Sequence, residues 1–302
     1  MKRFFLFFLL PIIFMFLGLP QSHAFGAAHP YHIHRDEDTG IALMPVIGFV
    51  DSHQVREGET LLDIAREHSL GYNEIVLYHH DLDPWMPEEG KSIDIPTQWV
   101  LPSTEHQEVV INIPEMRLYR FFQEVNMVKT YPVAVGRDEF NTPVKETRVA
   151  QRVKNPSWTV PQEAMEQYGR SIVPPGPDNP LGDYWVGLSG SQIGIHGTNF
   201  AWGIGRQVSR GCIRLYPEHA QQFYNETRPG TKVEIVYEPV KLGIRGDLIF
   251  MEAHPDIYDR ISDIAYYTRE KIYSKGLQDR VDLEKVHQVL EEKKGFPKVI
   301  NN

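Results

Sequence analysis

One cysteine, Cys212, stands in 302 residues, and His196 lies 16 positions upstream of it. A thiolate attacks carbonyl carbon far better than a thiol, and a free cysteine ionises only near ~8.5. An imidazole brought beside it is the usual means of removing that proton. The flanking residues suit the task. Gly211 permits a tight turn whose backbone N–H groups point at a developing oxyanion. Arg214, two residues on, adds positive charge that favours a thiolate or holds a substrate carboxylate. Ile193-Gly194-Ile195 reads as a strand leading to His196, and a base at a strand end is held rigidly enough for proton transfer. Composition alone leaves a buried, inert cysteine as an equal reading. Ser189 lacks the Gly-x-Ser-x-Gly frame of a serine hydrolase, and Gly203-Ile204-Gly205 lacks the third glycine of a dinucleotide loop.

The whole stretch Ile195-His196-Gly197-Thr198-Asn199 … Val208-Ser209-Arg210-Gly211-Cys212-Ile213-Arg214-Leu215 resembles the signature of YkuD-type L,D-transpeptidases. In that pattern His-Gly is followed by Ser-x-Gly-Cys, an aliphatic residue and Arg or Asn. The resemblance implies that Cys212 is the nucleophile and His196 the general base, its ring fixed by the carbonyl of Gly197. Backbone N–H groups of Gly211 and Cys212 are then expected to hold the oxyanion. Arg214, Ser209 and Arg210 are expected against substrate carboxylates. No metal ion or organic cofactor is required.

These residues need a frame. From about 107 the hydrophobic period is two: Val109, Ile111 and Ile113 alternate with Val110 and Asn112, and strands follow over 116–122 and 127–135. Gly136 … Thr142-Pro143 resembles the family's element entering the next strand. Two proline-rich stretches, 155–161 and 174–182, bracket a short helix over 162–168. So long an insertion in a β domain reads as a wall of the substrate groove. Trp158, Trp185 and Trp202 are candidates to line it, though each taken singly reads as a core residue. A helix from Pro217 to about Thr227, with His219 on its surface, precedes a last strand over 232–237. The expected class is α+β, mainly β: a YkuD-type β-sandwich over 107–237.

Residues 51–98 form a smaller unit of order strand–helix–helix–strand. Thr60 and Asp63 make a helix start, with Leu61, Ile64 and Ala65 at helical spacing. Val55-x-x-Gly58-Glu59-Thr60-Leu61-x-x-Ile64-Ala65 and the closing Gly90-x-x-Ile93-x-Ile95-Pro96 resemble a lysin-motif (LysM) domain, which implies binding to the glycan of peptidoglycan. Residues 98–107 read as a linker. The segment from 238 to 302 reads as a C-terminal extension with helices over 256–273 and 282–293, and no chemistry is seen in it.

At the other end Met1-Lys2-Arg3, an apolar run from Phe4 to Leu19 and Ser22-His23-Ala24 have the form of an export signal cut after Ala24. His29, His32 and His34 lack a further ligand set in the sequence and read as incidental. Net charge is −9, which disfavours nonspecific nucleic-acid binding. The reading is a periplasmic enzyme that acylates Cys212 with a peptidoglycan stem tetrapeptide. The acyl group then passes to an amine, either of another stem or of an anchored outer-membrane lipoprotein. Two alternatives stay open: a carboxypeptidase or cross-link hydrolase on the same acyl-enzyme, and an inactive wall-binding protein.

Overall fold

The computed structural model describes residues 28–35 and 45–302, so the expected signal lies outside the described residues. Among them no helix is long and apolar enough to cross a membrane. The architecture is α+β with more strand than helix.

Its centre is a nine-stranded mixed sheet. Across it run Pro30–His32, Met127–Pro132, Arg117–Phe122, Val109–Asn112, Lys232–Val236, Lys145–Lys154, Tyr184–Leu188, Gly194–His196 and Ile213–Arg214. Lys145–Lys154 turns the sheet back on itself. Its first half pairs with Lys232–Val236 and its second with Tyr184–Leu188, and the register shifts between Val149 and Gln151. A bulge at that point bends a strand and increases its twist. The two halves therefore close on one core. Val109, Ile111 and Leu118 come from one half, and Val186, Ile195 and Ile213 from the other. Helix Pro217–Glu226 adds Ala220 and Phe223 to the same core. His219 on that helix is buried, not on the surface as expected, because the small unit covers it and its ring meets Tyr131 and Tyr216.

The small unit runs Asp51–Gln54, Leu61–Glu67, Tyr72–Tyr78 and Ser92–Ile95, with the two strands antiparallel. Thr60 Oγ1 accepts from the N–H of Asp63 while the Asp63 carboxylate accepts from the N–H of Thr60, which starts the first helix. Its apolar face does not pack alone. Leu61, Ile64, Leu70 and Ile75 share a core with Val110, Tyr119, Phe121 and Val128, which lie on the outer face of the large sheet. Burying each such aliphatic side chain stabilises by about 1.5–3 kcal/mol. Two ion pairs flank this contact. Arg117 and Glu74 are both buried and bonded twice, at 2.6 and 2.9 Å. Arg66 meets Glu218 twice at 2.8 Å.

The expected linker is not free chain. Gln98–Val100 pairs with Val46–Gly48, and Trp99 and Leu101 are buried. The C-terminal extension adds the strands Val240–Arg245, Leu248–Ala253 and Lys298–Val299 with helices Ile264–Ser274 and Leu283–Glu292 around a core of its own. The first of these helices starts later than the sequence pattern suggests. The Asp256 carboxylate instead accepts the N–H groups of Arg260 and Ile261 and so holds a loop. One buried ammonium joins all these parts. Lys241 Nζ donates to Glu115 at 2.8 Å, Glu252 at 2.9 Å and the carbonyl of Val100 at 2.6 Å.

Candidate active site

Strands Gly194–His196 and Ile213–Arg214 run parallel, with Ile195 opposite Ile213 and His196 opposite Arg214. Both isoleucines turn into the core. Side chains alternate along a strand, so His196, Arg214 and Cys212 turn to the other face. There all three line a cleft of about 730 Å³. Hydrogen bonds of 2.9 and 3.0 Å between Ala134 and Arg214 clamp the cysteine-bearing strand from its far side.

His196 is 3% exposed, and its Nδ1 lies 2.6 Å from the carbonyl oxygen of Gly197. A carbonyl only accepts, so Nδ1 carries the hydrogen and Nε2 keeps its lone pair. Burial and the Arg214 charge push the imidazole down to about 3, against the pull of the Gly197 and Leu181 carbonyls. Burial likewise raises the Cys212 thiol, while the backbone of Gly194 and the Arg214 guanidinium pull it down. At neutral pH the resting pair is therefore thiol and neutral imidazole, and the proton leaves the sulfur as it attacks. The imidazole is also held from its flat side: the Trp185 ring stacks on it at 5.4 Å and 26°. A Cβ on Gly194 would come within 2.5 Å of that indole, so any larger residue there must displace the ring.

The turn before the cysteine is held from inside. Gly211 has φ of +97°, a conformation that favours glycine. The Ser209 hydroxyl donates to the carbonyl of Cys212 at 2.5 Å and accepts the N–H of Gly211 at 3.1 Å. This bears on two sequence-based expectations. Ser209 borders the cleft but is 1% exposed, and its hydroxyl is committed to shaping the turn. The N–H of Gly211 is already engaged and does not face an oxyanion. Among the described residues the N–H of Cys212 has no backbone or side-chain acceptor, and it is the donor that remains. The Thr142 hydroxyl donates to the carbonyl of Gly211 at 3.1 Å and accepts the N–H of Gly136 at 2.9 Å. Tyr258, from the C-terminal extension, completes this frame. Its hydroxyl donates to Gly136 O at 2.6 Å and accepts from Thr142 N at 3.2 Å.

Arg214 is half-buried, and its Nε has no hydrogen-bond partner among the described residues. A buried guanidinium donor facing an open cleft suits a carboxylate. Arg210 is exposed at the rim, its guanidinium over the Phe140 ring at 5.5 Å. The insertion supplies the opposite wall with Trp158, Gln167 and Tyr168. Trp158 and Trp185 thus line the cleft, although each taken singly read as core. Trp202 lines a separate hollow with Leu62, Arg66 and Tyr216. Sequence reasoning missed the supports given by Gly194, the Thr142 hydroxyl and Tyr258. A glycine two residues before the histidine was the one available signal, and nothing local marked Tyr258.

Fold and cleft together define a mainly-β enzyme with a thiol–imidazole site at the edge of its sheet. The L,D-transpeptidase catalytic domain called YkuD matches residues 106–235. "Probable L,D-transpeptidase YcfS" of Escherichia coli (strain K12) is 33% identical over 218 residues, 68% of this chain and 68% of that protein. "Probable L,D-transpeptidase ErfK/SrfK" of Salmonella typhimurium is 30% identical over 255 residues, 79% of this chain and 82% of that protein. Among solved structures, L,D-transpeptidase 3 from Mycobacterium tuberculosis aligns with 49% of this chain and 76% of its own, at TM-score 0.34 and 18% identity. The chain belongs to the YkuD family of L,D-transpeptidases and is an L,D-transpeptidase.

Proposed function

We propose that this enzyme acts in the periplasm on tetrapeptide stems of peptidoglycan through an acyl-enzyme at Cys212. The sulfur attacks the carbonyl carbon at the L-centre of the third stem residue, a diaminopimelate, and Nε2 of His196 takes the thiol proton. The tetrahedral oxyanion accepts from the N–H of Cys212; one such donor is worth about 3 kcal/mol. Collapse breaks the peptide bond, D-alanine leaves with the proton from His196, and a thioester remains. An acceptor amine then attacks the thioester and gives its proton to His196. Sulfur leaves as thiolate and recovers that proton. Arg214 holds a stem carboxylate and Arg210 a second one at the rim.

The observation that carries this reading is the parallel register of Gly194–His196 with Ile213–Arg214, which aims base, sulfur and guanidinium into one cleft. Export follows from the leader read in the sequence. The small unit is assigned to glycan binding. The acceptor is an amine of a second stem, giving a 3-3 cross-link, or the lysine of an outer-membrane lipoprotein. Incubating the protein with purified tetrapeptide muropeptides and resolving the products by mass tests the reading. Cross-linked dimers are expected, and Cys212→Ala forms none. Tripeptides alone would replace transfer by hydrolysis. Unchanged substrate would leave an inert wall-binding protein.

A further inference from the structure

The small unit gathers a second set of polar side chains, away from the cleft. His53, on strand Asp51–Gln54, and Glu67 and His68, at the end of helix Leu61–Glu67, bring one nitrogen or oxygen each within 4.8 Å of the others. His53 Nδ1 and His68 Nε2 are 3.1 Å apart. Two nitrogens bound at ~2.0–2.1 Å to one tetrahedral zinc ion lie about 3.3 Å apart, so the pair is at ligand spacing. The far side of His53 is also arranged. Its Nε2 meets Glu59 Oε2 at 2.9 Å. An ionised carboxylate only accepts, so Nε2 bears the hydrogen and Nδ1 offers its lone pair toward His68. A carboxylate behind a ligating imidazole is the usual outer shell of a metal-bound histidine.

The charge balance favours a cation. Arg56 pairs with Oε1 of Glu59 at 3.0 Å and Oε1 of Glu67 at 2.6 Å. Two carboxylates against one guanidinium leave this cluster with a net negative charge and the second oxygen of Glu67 for a metal. A cleft of about 400 Å³ bordered by His29, Asp51, Glu67 and His68 gives an entry path and room for water or a further ligand.

We propose that His53, His68 and Glu67 form a divalent-metal site, of zinc type by its nitrogen-rich donors, that pins the first strand of the small unit to its first helix. It takes no part in the transfer reaction.

The test is Zn²⁺ titration of the metal-stripped intact chain carrying Cys212→Ser, so that the catalytic sulfur cannot bind. Calorimetry gives stoichiometry, and Co²⁺ replacement reports low coordination through its visible absorption. One ion per chain is expected, with a raised Tm. Adding His68→Gln abolishes binding. Adding Glu59→Gln weakens it about 10–100-fold, the usual cost of an outer-shell change. Should His68→Gln misfold by circular dichroism, Glu67→Gln decides, with at least a tenfold loss expected. The proposal is overturned if the Cys212→Ser protein takes up no ion. It is equally overturned if binding survives His68→Gln, or Glu67→Gln where that variant decides, or is removed only by replacing His29, His32 and His34.

Discussion

At the scale of single residues, the protonation state of the resting site follows from burial. The thiol of Cys212 is raised and the imidazole of His196 is pushed down to about 3, so neither is charged at neutral pH. The alkylation rate of Cys212 by iodoacetamide should then climb with pH through the alkaline range, with a midpoint above the ~8.5 of a free thiol. It should show no step near ~6.5, where an ordinary histidine titrates. A plateau between pH 6 and 7 would indicate a preformed thiolate–imidazolium pair instead. Gly194 gives the second expectation. A methyl group there meets the Trp185 indole at 2.5 Å, and that indole stacks on His196. Gly194→Ala should lower kcat at least tenfold while the protein stays folded. Wild-type turnover would mean that the ring has no positioning role.

At the scale of elements, the nucleophile turn is framed by parts far apart in sequence. Strands Gly194–His196 and Ile213–Arg214 set the register, the Thr142 hydroxyl holds the carbonyl of Gly211, and Tyr258 holds Gly136 and Thr142 together. The extension that looked devoid of chemistry therefore supports the site without touching substrate. Tyr258→Phe removes the hydroxyl and leaves Gly136 O and Thr142 N without this partner. Steady-state kinetics should show kcat falling about tenfold with KM nearly unchanged, in line with ~1–1.5 kcal/mol for a lost hydrogen bond. A pure rise in KM would place Tyr258 in substrate binding, and no change would remove it from the frame.

At the scale of the whole molecule, small unit, large sheet and extension share buried polar joints, and these were the least legible features. The strands over 109–132 were readable because apolar residues alternate there. The sharp turn at Gly211 was readable because glycine precedes the lone cysteine. Strand Lys145–Lys154 was not, since Val149 is its one fully buried residue and its polar sequence carries no period. The Arg117–Glu74 pair joins positions 43 apart, and the Lys241 cluster draws on three segments, so neither leaves a local trace. The same joints predict how the molecule unfolds. Glu74→Ala leaves the Arg117 guanidinium buried and unpaired, which costs about 3–5 kcal/mol. Denaturant unfolding should show that loss in one cooperative transition, because the small unit and the sheet share a core. A separate early transition of the small unit with the remainder unaffected would contradict the shared core. The most direct measurement concerns the sulfur itself. Intact-protein mass spectrometry after brief mixing with a tetrapeptide muropeptide should show a gain equal to that muropeptide less D-alanine, mapped to Cys212 and absent from Cys212→Ala. Product formation with no adduct at Cys212, or with the adduct on another residue, would contradict the account.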